Sequence, residues 1–296
     1  MSYWGESLSL LCAVFWAIAV IFLRLTVRDI PAIEIGLFKN LLAFVFFFLT
    51  WLIIPDWDHQ VDLNASRILR LFVAGMIGTA IGDTLYIHSL KLIGASRSAI
   101  IGCLFSPFVI LLSFLFLDER FSLNQFFGFL IILLGVFLSV YQRAKHKISK
   151  QDLTLGISLC VIAIFSMATA MVITKPAIAD SSPVQAACIR LTGAISGLLL
   201  YTMVSGRYRR SIQVFNGPIP WTILIAGSFF SSYLALFTWV AGFKHTSASI
   251  ASILNQTSVL FILIFAAIFL KERLSPLKIV GALLGFGGVI LIFIHA

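Results

Sequence analysis

Ten apolar runs, each near twenty residues long, fill almost the whole chain and leave only short polar turns between them. A helix rises 1.5 Å per residue, so about twenty residues cross the ~30 Å hydrocarbon layer of a bilayer. The runs lie at about 7–25, 32–54, 68–90, 95–117, 122–141, 153–174, 183–204, 219–242, 247–270 and 276–294. Each reads as a membrane-spanning helix. The chain is 60% hydrophobic and 11% charged, whereas a soluble chain carries about a quarter charged residues. It could not cover a surface facing water, so the fold class is all-α integral membrane, embedded in the lipid bilayer.

The net charge of +9 sits in short loops rather than on a polar domain. That distribution suits membrane orientation and excludes a nucleic-acid partner. Cys12, Cys103, Cys160 and Cys188 all lie in apolar runs without metal-ligand spacing, so no metal and no cofactor is expected. Residues 1–7 lack the positive start of a signal peptide.

A repeat organises the runs. Leu117-Asp118-Glu119-Arg120 returns as Leu270-Lys271-Glu272-Arg273, a shift of 153 residues. On the same shift Gly128 falls on Gly281, Gly135 on Gly288, and Gly94-Ala95-Ser96 on Ser247-Ala248-Ser249. A shift of 151 takes Ala32 to Pro183 and Lys39 to Arg190. Residues 1–148 and 149–296 are therefore expected to be two five-helix repeats. Five is odd, so the second copy enters the membrane upside down. The expected architecture is ten helices in two inverted repeats around a central cavity, as in many secondary transporters.

Most of the 21 Lys and Arg fall in the loops after runs one, three, five, seven and nine. By the positive-inside rule those loops are cytoplasmic and both termini lie outside the cytoplasm. The expected location is the inner (cytoplasmic) membrane, with multiple passes.

The ordered set Gly82-Asp83-Thr84-Leu85-Tyr86, Gly94-Ala95-Ser96, Ser106-Pro107, Glu119-Arg120 and Gly128…Gly135, followed by Glu272-Arg273, Gly281 and Gly288, resembles the drug/metabolite transporter superfamily. Within it the chain is similar to the EamA-type, ten-helix exporters. The resemblance covers the whole chain. It implies a cavity lined by helices one to four and six to nine, helices five and ten at the periphery, and export or exchange of small metabolites by alternating access. The second half departs from the pattern, with Thr257-Ser258-Val259-Leu260 where the first half has Pro107.

Ionisable groups inside spans are costly and mark candidate sites. Lys39 lies seven residues into the second run, and Arg190 is its repeat mate. The two are expected at opposite faces of the cavity, binding an anionic group of the substrate. Asp83 lies deep in the third run, sharing a face with Thr79 and Tyr86. It is read either as a substrate-amine or proton-coupling group, or as a structural partner of a cation such as Lys39. Further candidates for the cavity wall are Ser252, Asn255 and Gln256 in the ninth run and Cys103 and Ser106 in the fourth. The aromatics Trp16, Tyr86, Tyr233 and Trp239 complete the set. Pro107 is the candidate hinge, because its ring frees a carbonyl in the fourth helix. Glu34 reads as a helix-start charge, and His88 as a ring bonded to a carbonyl. Glu119 and Glu272 each precede a helix, where a carboxylate suits the N-terminal dipole. They read as staples for the departing helix.

Intramembrane enzymes are disfavoured: HExxH, GxSxG and paired membrane aspartates are all missing. No ring of charges suggests a channel. Two cations and one carboxylate suit a zwitterion, so the expected activity is secondary transport of amino acids or related metabolites. Protons are a candidate coupling ion, and the protein is expected to be a monomer or weak homodimer. Nucleoside- or nucleotide-type metabolites stacked on the aromatics, and a non-transporting membrane enzyme or scaffold, are the alternatives.

Overall fold

The described part of each apolar run is largely helical in the computed structural model, which describes residues 4–53, 64–116, 123–141, 149–178, 182–245, 251 and 254–294. Among the described residues, seven helices are long and apolar enough to cross a membrane. They are α1 (Trp4–Thr26), α2 (Ala32–Ile53), α3 (Ala65–Ile93), α4 (Ala95–Phe116), α6 (Lys150–Ile178), α7 (Pro183–Val204) and α8 (Trp221–His245). Three apolar helices are shorter by the same measure. These are α5 (Leu123–Tyr141), α9 (Leu254–Phe269) and α10 (Pro276–Ile294). A short helix, Tyr208–Val214, connects α7 to α8. No strand occurs among the described residues. Phe48, Phe116, Val204 and many other large apolar side chains point outward, as a lipid-facing surface requires.

Small residues set the packing. At Gly75 a Cβ would stand 1.9 Å from the carbonyl oxygen of Arg190, and at Gly193 one would stand 2.1 Å from that of Phe72. The backbones of α3 and α7 therefore touch. Gly78 and Gly82 bring α3 close to α6, where a Cβ would stand 2.5 Å from the Ala170 Cβ and 3.0 Å from the Met167 Cγ. α5 and α10 pack chiefly on each other. A Cβ on Gly135 would meet the Gly281 carbonyl oxygen at 2.5 Å, and one on Gly288 would meet that of Gly128 at 2.7 Å. As the residue number rises on one helix it falls on the other, so the two run antiparallel. Each contact is the repeat image of the other.

Two stretches wind more widely than an α-helix. Gly75–Asp83 in α3 and Phe229–Ala235 in α8 are π-helical, a geometry that recurs at functional sites. They occupy matching places in the two halves. α4 is broken as well: it stops at Gly102 and restarts at Phe105. Pro107 then sits in the first turn of the restarted helix, where its missing N–H leaves nothing unbonded. The break falls at the carbonyl that the proline ring would strike, four residues upstream. In α9 a turn falls at Thr257, the place matching Leu104, although no proline is near. The Thr257 hydroxyl bonds the Leu254 carbonyl oxygen at 2.5 Å instead, competing with the helical ladder. Glu119, Arg120, Ser247, Ala248, Ser249 and Ser252 lie outside the described residues.

Candidate functional site

The π-helical stretches and the break in α4 all face a cavity of about 240 Å³ at the middle of the bundle. Residues from α1, α2, α3, α4, α6, α7, α8 and α9 line it, and none from α5 or α10.

On α2, Lys39 is 2% exposed and its ammonium has three acceptors. It donates to Asp83 Oδ2 at 2.5 Å, Ser232 Oγ at 3.0 Å and Asn40 Oδ1 at 3.3 Å. Three donors meet three acceptors, so this cation is saturated by the protein. Asp83 is 17% exposed and faces the cavity. Removing one member of such a buried pair strands the other, at about 3–5 kcal/mol. The pair is the structural reading of Asp83, and it removes Lys39 from the set of unsatisfied cations.

Arg190 on α7 differs. It is 7% exposed, and one terminal nitrogen donates to Thr174 Oγ1. Its guanidinium carbon stands 5.5 Å from the ring centroid of Trp239, within cation–π range. Its Nε has no acceptor. Two cations and one carboxylate therefore share the cavity wall, leaving one net positive charge there. Asn255, which also lines it, has neither amide atom bonded, and Asn40 has an unbonded Nδ2. Buried polar atoms without partners cost about 1–3 kcal/mol each. In a cavity they are places for a ligand. Trp16 and Tyr86 form one wall, with ring centroids 5.9 Å apart.

Trp16, Lys39, Thr79, Asp83, Tyr86, Arg190, Trp239, Asn255 and Gln256 thus meet at one site. Three expected wall residues do not. Cys103 is buried behind the wall, where a Cβ on Gly285 would approach its sulfur to 2.8 Å. Ser106 accepts a bond from Gln256 Nε2 at 3.3 Å and holds that amide from behind. Tyr233 turns away toward α2: its hydroxyl is 2.7 Å from Thr50 Oγ1 and its ring packs among Phe46, Phe47 and Phe229. Asn40, Thr174 and Ser232, which sequence reasoning missed, complete the polar shell. Asn40 follows Lys39, Thr174 precedes Lys175 and Ser232 follows Ser231, so each sits beside another polar residue within its span, and that is the signal it gives.

The Glu272 carboxylate holds a helix other than the one it precedes. It accepts from Ala95 N–H at 2.9 Å, Ser96 N–H at 3.2 Å and Ser96 Oγ at 2.6 Å. It therefore caps α4, in the other half, and not α10, which follows it. Gly94 makes this possible: its φ is +83°, and a Cβ there would stand 2.8 Å from the carboxylate. The clasp ties the start of α4 to the turn before α10. Val20, Leu23, Ile87, Leu90, Ile93 and Ala266, all nearly or fully buried, pack in one apolar cluster on the stretches of α1, α3 and α9 that lead from the cavity toward it. Toward the opposite end the cavity wall continues through Met171, Trp239 and Phe243.

Comparison with known proteins agrees with this architecture. The EamA-like transporter family matches the chain twice, over residues 3–141 and 154–294. An uncharacterized transporter of Archaeoglobus fulgidus is 27% identical over 269 residues, covering 90% of each chain. Protein PecM of Dickeya dadantii is 26% identical over 231 residues, 75% of this chain and 73% of its own. Protein LicB of Haemophilus influenzae is 22% identical over 290 residues, 97% and 96%. A solved crystal structure superposes with a TM-score of 0.68 over 100% of this chain and 98% of its own. Its identity of 13% speaks for the fold alone. The chain is a multi-pass membrane protein and belongs to the EamA-like transporter family.

Proposed function

We propose that the protein is a secondary active transporter that exports small metabolites, amino acids or related zwitterions, across the cytoplasmic membrane by alternating access. The observation that carries this reading is Arg190, a buried cation whose Nε is unbonded on the wall of a midplane cavity. Asp83 is already occupied by Lys39, so a substrate carboxylate is the natural counterion for Arg190. The open amide of Asn255 and the exposed edge of Asp83 then receive the substrate's donors.

The ten helices form two inverted repeats, residues 1–148 and 149–296. The double family match and the antiparallel, image-related glycine contacts of α5 and α10 support this. The Glu272 clasp lies at the end rich in Lys and Arg, which the positive-inside rule assigns to the cytoplasm. In this conformation the cytoplasmic end is closed. A thermal-shift screen of the purified protein against amino acids and nucleotides tests the substrate class. Stabilisation by amino acids, lost in Arg190→Ala, supports it; stabilisation by nucleotides alone removes it.

A further inference from the structure

A second recess lies at the charge-rich end, between α2, α3 and α7. It encloses about 910 Å³ and uses parts of the three helices other than those that line the cavity. Glu34 lines it where Lys39 lines the cavity; Ala80 and Thr84 alternate with Thr79 and Asp83; Leu198 follows Arg190 by two turns. A small apolar cluster of Leu37, Ala80, Ala194 and Leu198 lies between the two.

Glu34 is 5% exposed. Its Oε1 accepts from Ser211 Oγ at 2.8 Å, and its Oε2 is buried with no donor. The α2 N-terminus eases the charge but gives Oε2 no hydrogen bond. Thr84 Oγ1, on the same recess, is also buried and unbonded. Lys91 and Arg207 line the recess as well, yet neither donates to Glu34. A half-satisfied buried carboxylate beside an open volume calls for an N–H donor of positive charge. Lys91 and Arg207 are exposed at the rim of the recess, where they can meet an acid group on the same molecule.

We propose that this recess is a second ligand site, which takes a small zwitterion with its ammonium on Glu34 and Thr84 and its acid group toward Lys91 and Arg207. The placement one helical layer from the central cavity makes it a cytoplasmic-side station for the same substrate class. In that respect the proposal rests on the transporter reading. The binding itself does not: a protein that binds here and moves nothing would refute transport and leave the site standing.

The test uses the full chain in detergent with 5-aminopentanoate, and with pentanoate and pentylammonium as probes lacking one end. Binding is read by saturation-transfer NMR and thermal shift for wild type, Arg190→Ala, and Arg190→Ala combined with Glu34→Gln or Thr84→Val. The expected result is tightest binding of 5-aminopentanoate and none of pentanoate. In the Arg190→Ala background, where the central cavity has lost its cation, 5-aminopentanoate should still bind, and adding Glu34→Gln should weaken that binding by about tenfold or more and adding Thr84→Val should weaken it less. Thr84→Val carries the test if Glu34→Gln unfolds. Absence of binding to wild type or to Arg190→Ala, equal binding of pentanoate, or no weakening when Glu34→Gln or Thr84→Val is added to Arg190→Ala overturns the site.

Discussion

Replacing Glu272 by Ala should open the charge-rich end of the bundle. The carboxylate accepts three hydrogen bonds from the first turn of α4, two from backbone N–H groups and one from Ser96. Hydrogen bonds to a charged group contribute about 1.5–3 kcal/mol each when isolated. Here they share one half-buried carboxylate and are not additive, so a total of about 3 kcal/mol is reasonable. If the clasp exists only in the closed state, its loss raises the open population by about 150-fold. The assay is alkylation of a single cysteine at Ala99, which faces the cavity just inside the clasp. Cys12, Cys103, Cys160 and Cys188 are first replaced. Glu272→Ala should speed alkylation by a membrane-impermeant maleimide applied from the charge-rich side by tenfold or more. Glu272→Gln keeps the acceptor oxygen and should fall between. An unchanged rate, with a lowered melting temperature, would refute the latch and leave Glu272 a plain cap.

Three further outcomes follow from the packing and charge pairs. Asp83→Asn strands the Lys39 ammonium and should destabilise the fold by about 3–5 kcal/mol; the double change Lys39→Met, Asp83→Leu should recover most of it, as read by detergent-denaturation midpoints. Gly75→Ala drives a methyl into the Arg190 carbonyl and should cost about 1–3 kcal/mol or more, seen as lowered folded yield by size-exclusion chromatography. Arg190→Lys keeps the charge but loses the guanidinium that lies over Trp239; it should retain the melting temperature and lose most ligand-induced stabilisation.

Long-range order was legible wherever it followed from composition along one helix. The apolar runs needed no partner to be read. Asp83, Lys39 and Arg190 stood out because charge within a span is costly. What escaped depended on two helices at once. Glu272 caps α4 from 177 residues away, and no local pattern says which helix a carboxylate will reach. Lys39 is saturated by Asn40 and Ser232, whose small side chains barely interrupt their runs. Tyr233 was misplaced for a different reason: it was singled out only as an aromatic well inside a span, and depth does not say which side of the helix the ring takes; here it packs among Phe46, Phe47 and Phe229. The break at Thr257 shows that matched geometry in the two halves does not need the same residue.

Uptake into proteoliposomes tests the central claim most directly. Wild-type protein, loaded with an unlabelled mixture of amino acids and given the labelled mixture outside, should exchange label. Arg190→Ala should not, while keeping its folded yield and melting temperature. Equal exchange by the two proteins would contradict the assignment of Arg190 as the cation that holds the substrate.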